Sequence, residues 1–286
     1  MGKEGKFVNS RQLGERLEKE LETNISFRLE FSGNGEFLLS GRGELHISIL
    51  LETLRREGFE MQVSKPEVIF KEINGEKTEP IEEITVDIPE EFLGIITTEF
   101  GKRKAKLVDL INHHGFGRGY VRAVYHLSTR GFMGLRNNLM TATKGTAVIN
   151  SLFLHYEKIE DFLLRDRNGA LIASEAGKAV AFGLEVAQGR GVVFIGPQTQ
   201  VYEGMIVGLN SRKEDIEINV CKEKELSNMR SKGSDRAIIL APPTILTLEQ
   251  ALDFLEEDEL LEITPLNLRL RKKYLKKIDR ERQKRG

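Results

Sequence analysis

Apolar residues recur along this chain with two periods, and the switches between them mark out its elements. Leu13, Leu17 and Leu21 fall four apart, one stripe of a helix that Ser10 can cap. Ile25, Phe27, Leu29 and Phe31 then alternate with polar residues, as in a half-buried strand. Ser32-Gly33-Asn34-Gly35 has hairpin-turn chemistry, and 36–40 returns as a second strand. A helical period resumes over 44–57, with Leu45, Ile49, Leu50 and Leu54 facing inward and Gly58 placed to end it. Phe59, Met61 and Val63 alternate again, giving the order helix, strand, strand, helix, strand.

After a polar connector over 74–80 a similar order begins again. Ile84, Val86 and Ile88 make a strand, and Pro89 suits the first turn of a helix carrying Phe92, Ile96 and Phe100 on one face. Strands over 106–114 and 117–126 flank Gly115-Phe116-Gly117; a helix over 129–139 and a β-rich return over 146–156 complete a split βαβ plan. The first unit shows that plan without its opening strand. From about 161 glycines become frequent among short apolar runs, the pattern of a small barrel or sandwich. Strands are expected over 216–220 and 237–240. Thr247 and Gln250 have capping-box spacing for a helix, and Leu270, Tyr274 and Ile278 are four apart in a basic end that reads as a helix or a tail. The expected class is α+β, in three modules: 1–75, 76–160 and 161–286.

Charge changes this picture more than composition does. Net charge is −1, yet no Asp or Glu occurs between Leu110 and Tyr156, a window holding Arg118, Arg122, Arg130, Arg136 and Lys144. Lys102, Arg103, Lys104 and Lys106 stand just before it. Residues 269–286 hold ten basic side chains against two acidic ones, directly after seven carboxylates and no base in 249–262. A polyanion responds to such local potentials rather than to the sum. The single cysteine, Cys221, fits a reducing compartment, and no apolar run is long enough to span a bilayer; the sequence reads as cytoplasmic.

Catalytic chemistry is not legible. There is no phosphate-cradling Gly-x-x-x-x-Gly-Lys motif, and Gly41-Arg42-Gly43-Glu44 reads as a strand-to-helix turn. His113 and His114 are adjacent on a strand and leave on opposite faces. His46, His126 and His155 have no ligand-spaced partners. The carboxylates of 256–259 read as a solvated face, and no metal site is expected.

Specific stretches carry more. "SGRGELHISILLETLRREGFEMQVSKPEVIFKE" (40–72) resembles the third domain of elongation factor G and its relatives. "EPIEEITVDIPEEFLGIITTEFGKRKAKL" (79–107) and "RGFMGLRNNLMTATKGTAVINSLFLHYE" resemble the fifth, and "NGALIASEAGKAVAFGLEVAQGRGVVFIGPQTQVYEGMIVGLN" (168–210) is similar to the C-terminal domain of the TypA/BipA translational GTPases. The resemblance implies two ferredoxin-like domains, the first lacking its opening strand, then a β-rich domain with a helix. It implies a C-terminal fragment: the family's GTPase domain, with its GTP and Mg, and the following β-barrel have no counterpart here. No cofactor is therefore expected in this chain, and no catalysis. The expected partners are the ribosome at its factor site, ribosomal RNA and tRNA, with a link to ribosome assembly and stress response. No membrane partner is expected. The incomplete first sheet would be filled by an intruding segment or by self-association.

The basic features then acquire candidate roles. Residues 221–235 have no apolar face to bury. Lys222, Lys224, Arg230 and Lys232 would contact RNA phosphates, with Ser227, Asn228 and Ser231 donating hydrogen bonds. Lys102, Arg103, Lys104 and Lys106, with Arg118 and Arg136, would form a second RNA patch. Arg122 and Arg130 are weaker candidates. For the basic end, RNA binding and pairing with the acidic stretch stand level. Phe116 and Phe132 read as core residues before base-stacking ones. The alternative function is a protein-interaction module of repeated α/β domains, using its sheet edges and touching no RNA.

Overall fold

The computed structural model describes residues 2, 4–113, 119–159, 167–223 and 238–283. They fall into two compact units: Met1–Lys65 together with Arg167–Gly286, and Pro66–Asp166 between them.

Unit 1 opens with α1 (Ser10–Thr23), capped by the residue before the expected one: the Asn9 side chain accepts from the Arg11 amide. Strands β1 (Arg28–Ser32) and β2 (Glu36–Ser40) pair from Arg28↔Ser40 to Ser32↔Glu36. Helix α2 (Glu44–Glu57) ends at Gly58, whose φ of 103° suits glycine and whose N–H donates to the carbonyls of Leu54 and Arg55. Its inward face differs from the expected one. Ile47, Leu50, Leu51 and Leu54 line the core at i, i+3, i+4 and i+7, while Leu45 and Ile49 are exposed. Strand β3 (Met61–Ser64) follows.

Unit 2 starts with a hairpin where a connector was expected. Strand β4 (Lys71–Ile73) turns through Asn74 (φ 55°) and Gly75 (φ 77°) into the 14-residue β5 (Glu76–Pro89). Two consecutive positive φ values are the requirement of a type I′ turn, which Asn-Gly meets with least strain. A short 3-10 turn leads into α3 (Leu93–Lys102); Phe92, Ile96 and Phe100 are buried as expected. Strands β6 (Lys106–His113) and β7 (Tyr120–Ser128) follow. The helix expected over 129–139 is two pieces, α4 (Thr129–Phe132) and α5 (Leu135–Ala142), broken where Gly134 takes φ 62°. Strand β8 (Val148–Lys158) completes the unit. β5 pairs with both β7 and β8, β7 with β6, and β4 with the start of β5, all antiparallel. This is the split βαβ plan. Ile84, Val86 and Ile88 of β5 meet Ile96 and Phe100, and Phe100 stacks on Tyr125 at 4.0 Å. Phe132 packs against this core; Phe116 lies outside the described residues.

The chain then re-enters unit 1. Strands β9 (Ala170–Ala173) and β10 (Gly177–Lys178), helix α6 (Ala181–Gln188), and strands β11 (Gly191–Val193), β12 (Gln200–Val201), β13 (Ile206–Asn210) and β14 (Ile216–Ile218) come in order. They build an open sheet, β11-β13-β9-β14, with β14 parallel to β9, and a separate β10–β12 pair rather than a barrel. β11 approaches β13 so closely that a Cβ at Gly191 would collide with the Leu209 carbonyl. Residues 238–240, expected as strand, are irregular. The capping box at Thr247 and Gln250 forms and opens α7 (Leu248–Phe254). Strands β15 (Glu259–Ile263) and β16 (Leu268–Lys272) follow, so Leu270 belongs to a strand, and helix α8 (Lys277–Gln283) begins later than the basic spacing implied.

The ends of the chain meet at β3. It does not join β1 and β2; it pairs antiparallel with β15, from Met61↔Ile263 to Ser64↔Leu260. An intruding segment or self-association was expected for the incomplete first sheet; β15 pairs with β3, while β1 and β2 form a two-stranded sheet of their own. Leu50, Leu54 and Met61 thereby share one core with Leu252, Leu255, Leu261 and Ile263. Three modules in a row were expected; 1–65 shares one core with 170–270, while a second cluster around Leu171, Leu184, Val193 and Val207 lies wholly within 167–286. The N-terminal segment ties in as well: the Glu60 amide donates to the Phe7 carbonyl, and Glu4 accepts from Thr264, Asn267 and Arg269.

A buried charge network closes this unit. Lys272, 2% exposed, meets Asp215 at 2.6 Å, Glu259 at 2.8 Å and Asp258 at 3.1 Å. Glu259, expected in a solvated face, is itself 1% exposed. Lys65 and Arg167, the residues bordering unit 2, both reach Glu256, at 3.1 and 3.3 Å. Burial works against ionised Lys272, but its carboxylate neighbours raise its pKa.

Two outcomes follow from this unit. Leu261→Ala removes a fully buried side chain at the β3–β15 contact and should cost roughly 2–5 kcal/mol. Hydrogen exchange should then speed up in β3, α2 and α7 while β5–β8 keep their protection. Burial would raise the Glu4 pKa, but hydrogen bonds from Thr264, Asn267 and Arg269 bring it down to about 2. A folded-state pKa below the unfolded one stabilises above the unfolded value, and that stability is lost as pH falls from about 4.5 toward 2. Chemical denaturation between pH 6 and 2 should show Glu4→Gln less stable than the parent at pH 6, by about 1 kcal/mol, with the gap closing in acid.

Candidate nucleic-acid interface

The cluster singled out in the sequence sits where α3 gives way to β6. The amides of Arg103 and Ala105 donate to the Phe100 carbonyl and that of Lys104 to the Gly101 carbonyl. Lys104 itself has φ 57°, a left-handed cap normally left to glycine or asparagine. An L side chain there costs on the order of 1 kcal/mol. The tight stop swings the chain directly into β6, so that Arg103, Lys104 and Lys106 line one shallow cleft of about 60 Å³. The far side comes from β7 and β8: His126, Ser128, Glu157 and Lys158.

Sheet register assembles this cleft. Lys106 pairs across β6–β7 with His126, and Lys158 pairs across β8–β5 with Thr78. Lys158 and His126 were not picked out from the sequence, because only the strand order brings residues 106, 126 and 158 to one place.

Acidic groups temper the cluster. Lys102 bonds Glu99 at 2.6 Å, and Arg103 bonds the same carboxylate at 3.0 Å. Lys106 stands 3.8 Å from Glu157, which also meets His155 at 2.8 Å. Lys158 pairs with Glu76 at 2.7 Å. Hydrogen bonding from Lys102, then Arg103, overcomes the effect of burial and holds Glu99 below the usual carboxylate range. The His155 hydrogen bond, reinforced by Lys106 and His126, does the same for Glu157.

The other expected RNA contacts divide sharply. Arg136 donates to the Ile149 carbonyl at 2.9 Å and ties α5 to β8. Arg122 forms a two-pronged pair with Asp87 at 2.6 and 2.8 Å, and Arg130 one with Glu79 at 3.0 and 3.1 Å. The carboxylate-free window is thus supplied with carboxylates by β5, outside the window. Lys222 lies in unit 1 just after β14 and has a partner. Arg118, Lys224, Asn228, Arg230 and Lys232, with Ser227 and Ser231, lie outside the described residues. In the basic end, Arg271 meets Glu262 and Lys272 meets Asp258 and Glu259, so these two pair with the acidic stretch. Lys277 and Arg280 both reach Glu217.

Other chemistry has little foothold. No group of three or more His, Cys, Asp or Glu among the described residues is arranged to hold a metal ion. His46 stacks on Phe27 at 3.8 Å, and burial together with Arg42 lowers its pKa. No helix among the described residues is long and apolar enough to cross a membrane.

Known families match end to end over most of the chain. The elongation factor G C-terminus matches residues 76–167, and the TypA/BipA C-terminal domain matches 168–277. The large ribosomal subunit assembly factor BipA of Salmonella typhimurium is 48% identical over 100% of this chain, and that of Escherichia coli K12 47% over 100%. The Bacillus subtilis protein of the same name is 43% identical over 98%. The chain spans about half the length of these relatives, 46–47%. Two adjoining family matches and this identity along its whole length establish that the chain belongs to the TypA/BipA family of translational GTPases.

Proposed function

We propose that this chain is a ribosome-binding element that meets ribosomal RNA and tRNA through cationic surfaces and performs no bond chemistry of its own. The observation that carries this reading is the cleft of unit 2. Lys104, Lys106 and Lys158 are its exposed cations, set against Glu157, while Arg103 is held by Glu99 and Glu79 by Arg130. A local excess of exposed cations attracts a phosphate backbone even though the chain as a whole is near neutral. The name of the relatives, large ribosomal subunit assembly factor, supports the large subunit as the partner. Residues 222–232 supply the second contact in this reading, toward tRNA, with Lys222, Lys224, Asn228, Arg230 and Lys232. GTP and Mg belong to the family's GTPase domain, for which this sequence has no phosphate-binding motif. Ribosome assembly and stress response, in the cytoplasm, are the proposed setting.

One observation favours a protein contact as well. The edge strand β6 exposes Leu107, Val108, Leu110 and Ile111 together, an apolar edge able to accept an extended peptide. The two readings separate by salt. Co-sedimentation with large ribosomal subunits from 50 to 200 mM KCl should weaken steeply, as phosphate contacts require. Replacing Lys102, Lys104 and Lys106 together by Ala should weaken it about tenfold or more at low salt and flatten the salt dependence by roughly 0.7–0.9 in log–log slope per lost contact. Binding that is indifferent to salt and to these substitutions would favour the β6 edge and remove the RNA reading.

A further inference from the structure

The cleft of unit 2 is more organised than a cluster of surface lysines, because Glu99 and Glu157 beside it each hold two side chains unequally. Glu99 holds Arg103, whose side chain is 11% exposed and also donates to the Glu99 carbonyl at 3.2 Å; its second cation, Lys102, is 63% exposed. Glu157 holds His155 at 2.8 Å, whereas Lys106 stands off at 3.8 Å and is 67% exposed. At Glu99 the buried Arg103 is anchored and Lys102 is solvated; at Glu157 both partners are exposed, with His155 in hydrogen-bond contact and Lys106 farther off. If Lys102 or Lys106 turned to an incoming anion, neither carboxylate would be left bare, so the usual penalty for breaking an ion pair largely disappears. Lys158, whose pair with Glu76 is mostly exposed on both sides, is similarly free to turn.

We propose that this cleft is a binding site for a single phosphate group of an RNA backbone, held by Lys104, Lys106 and Lys158 with the Ser128 hydroxyl donating. Glu157 acts as its specificity-determining partner. The inference rests on the reading that unit 2 meets RNA, and adds what the site recognises and how. Size is compatible with it: a shallow cleft of about 60 Å³ admits a compact tetrahedral anion. Lys104 supports it too, since a lysine held in a left-handed backbone where glycine would relax is strain located at a site. Glu157 sets a threshold: an anion must outbid a carboxylate for Lys106, which a divalent phosphate does more readily than chloride.

The test uses the whole chain with its lysines reductively ¹³C-methylated, each signal assigned by single substitution, and inorganic phosphate as the probe at constant ionic strength. Phosphate should move the Lys106 and Lys158 signals saturably, and an equal ionic strength of chloride should not. Glu157→Gln should tighten phosphate about threefold, the effect of removing an exposed competing ion pair, with an unchanged melting temperature. Lys106→Ala should weaken the Lys158 response about fivefold, the loss of one charge-assisted contact. Shifts that never saturate, an equal response to chloride, or a Glu157→Gln variant that binds no better would overturn the proposal. Saturable phosphate binding without salt-dependent sedimentation on ribosomal subunits would keep the subsite and remove the RNA reading; sedimentation without phosphate binding would do the reverse.

Discussion

The antiparallel pairing of β3 with β15 is the contact on which unit 1 depends. Residues some two hundred positions apart exchange a ladder of four pairs, and on the strength of that ladder α2 and α7 bury their apolar faces in one core. Contacts of such sequence separation are entropically costly to close, so the pairing must be backed by burial to persist. Met61, Leu261 and Ile263 provide it, each 5% exposed or less. Lys272 and its three carboxylates sit at the end of the same sheet. A buried ammonium with several acidic partners is a weak source of net stability, but it tolerates few alternative registers. Burial thus supplies the stability of this unit, and charge pins its geometry.

Unit 2 is self-sufficient by comparison. Its strands pair with neighbours inside 66–166, its two longer helices pack on one sheet, and the cationic cleft is built from four of its elements. The cleft inherits its stiffness from β5, which is paired on both sides, and from the left-handed stop at Lys104. A site on rigid elements presents its charges with little entropy left to lose on binding, which matters when the ligand is held by a few exposed lysines.

Much of this architecture was legible in the chain, for reasons that can be named. Elements governed by a local rule appeared where expected: the Gly58 stop, the Ser32–Gly35 turn, the Thr247 capping box, and the Phe92, Ile96, Phe100 stripe. Asn74-Gly75 obeys such a rule too, but the polar residues after it hide the alternation of β5. Failures elsewhere came from tertiary choice. Leu45 and Ile49 are as apolar as Leu50 and Leu51, and only the position of the opposing surface decides which pair is buried. Gly134 breaks a helix that composition alone would continue. Glu259 reads as solvated beside Glu256 and Glu257 until Lys272, thirteen residues on, is brought over it by β16.

The same distinction decides which cations are available to a ligand. A stretch of sequence without carboxylates is a one-dimensional statement, whereas neutralisation is set by strand register. Arg122 faces Asp87 because β7 pairs with β5 at that position, and Arg130 reaches Glu79 from α4, so the emptiest window of acid in the chain contributes little free charge. Lys106 and Lys158 stand on β6 and β8, the two outer strands of the sheet, and their partners are loosely held. Exposed ion pairs of this kind are nearly thermoneutral in water. A phosphate can therefore exchange places with the carboxylate at small cost, while the two-pronged arginine pairs stay committed to the fold. Availability for binding follows from how weakly a cation is held at home, and in this chain that is a property of the sheet edge.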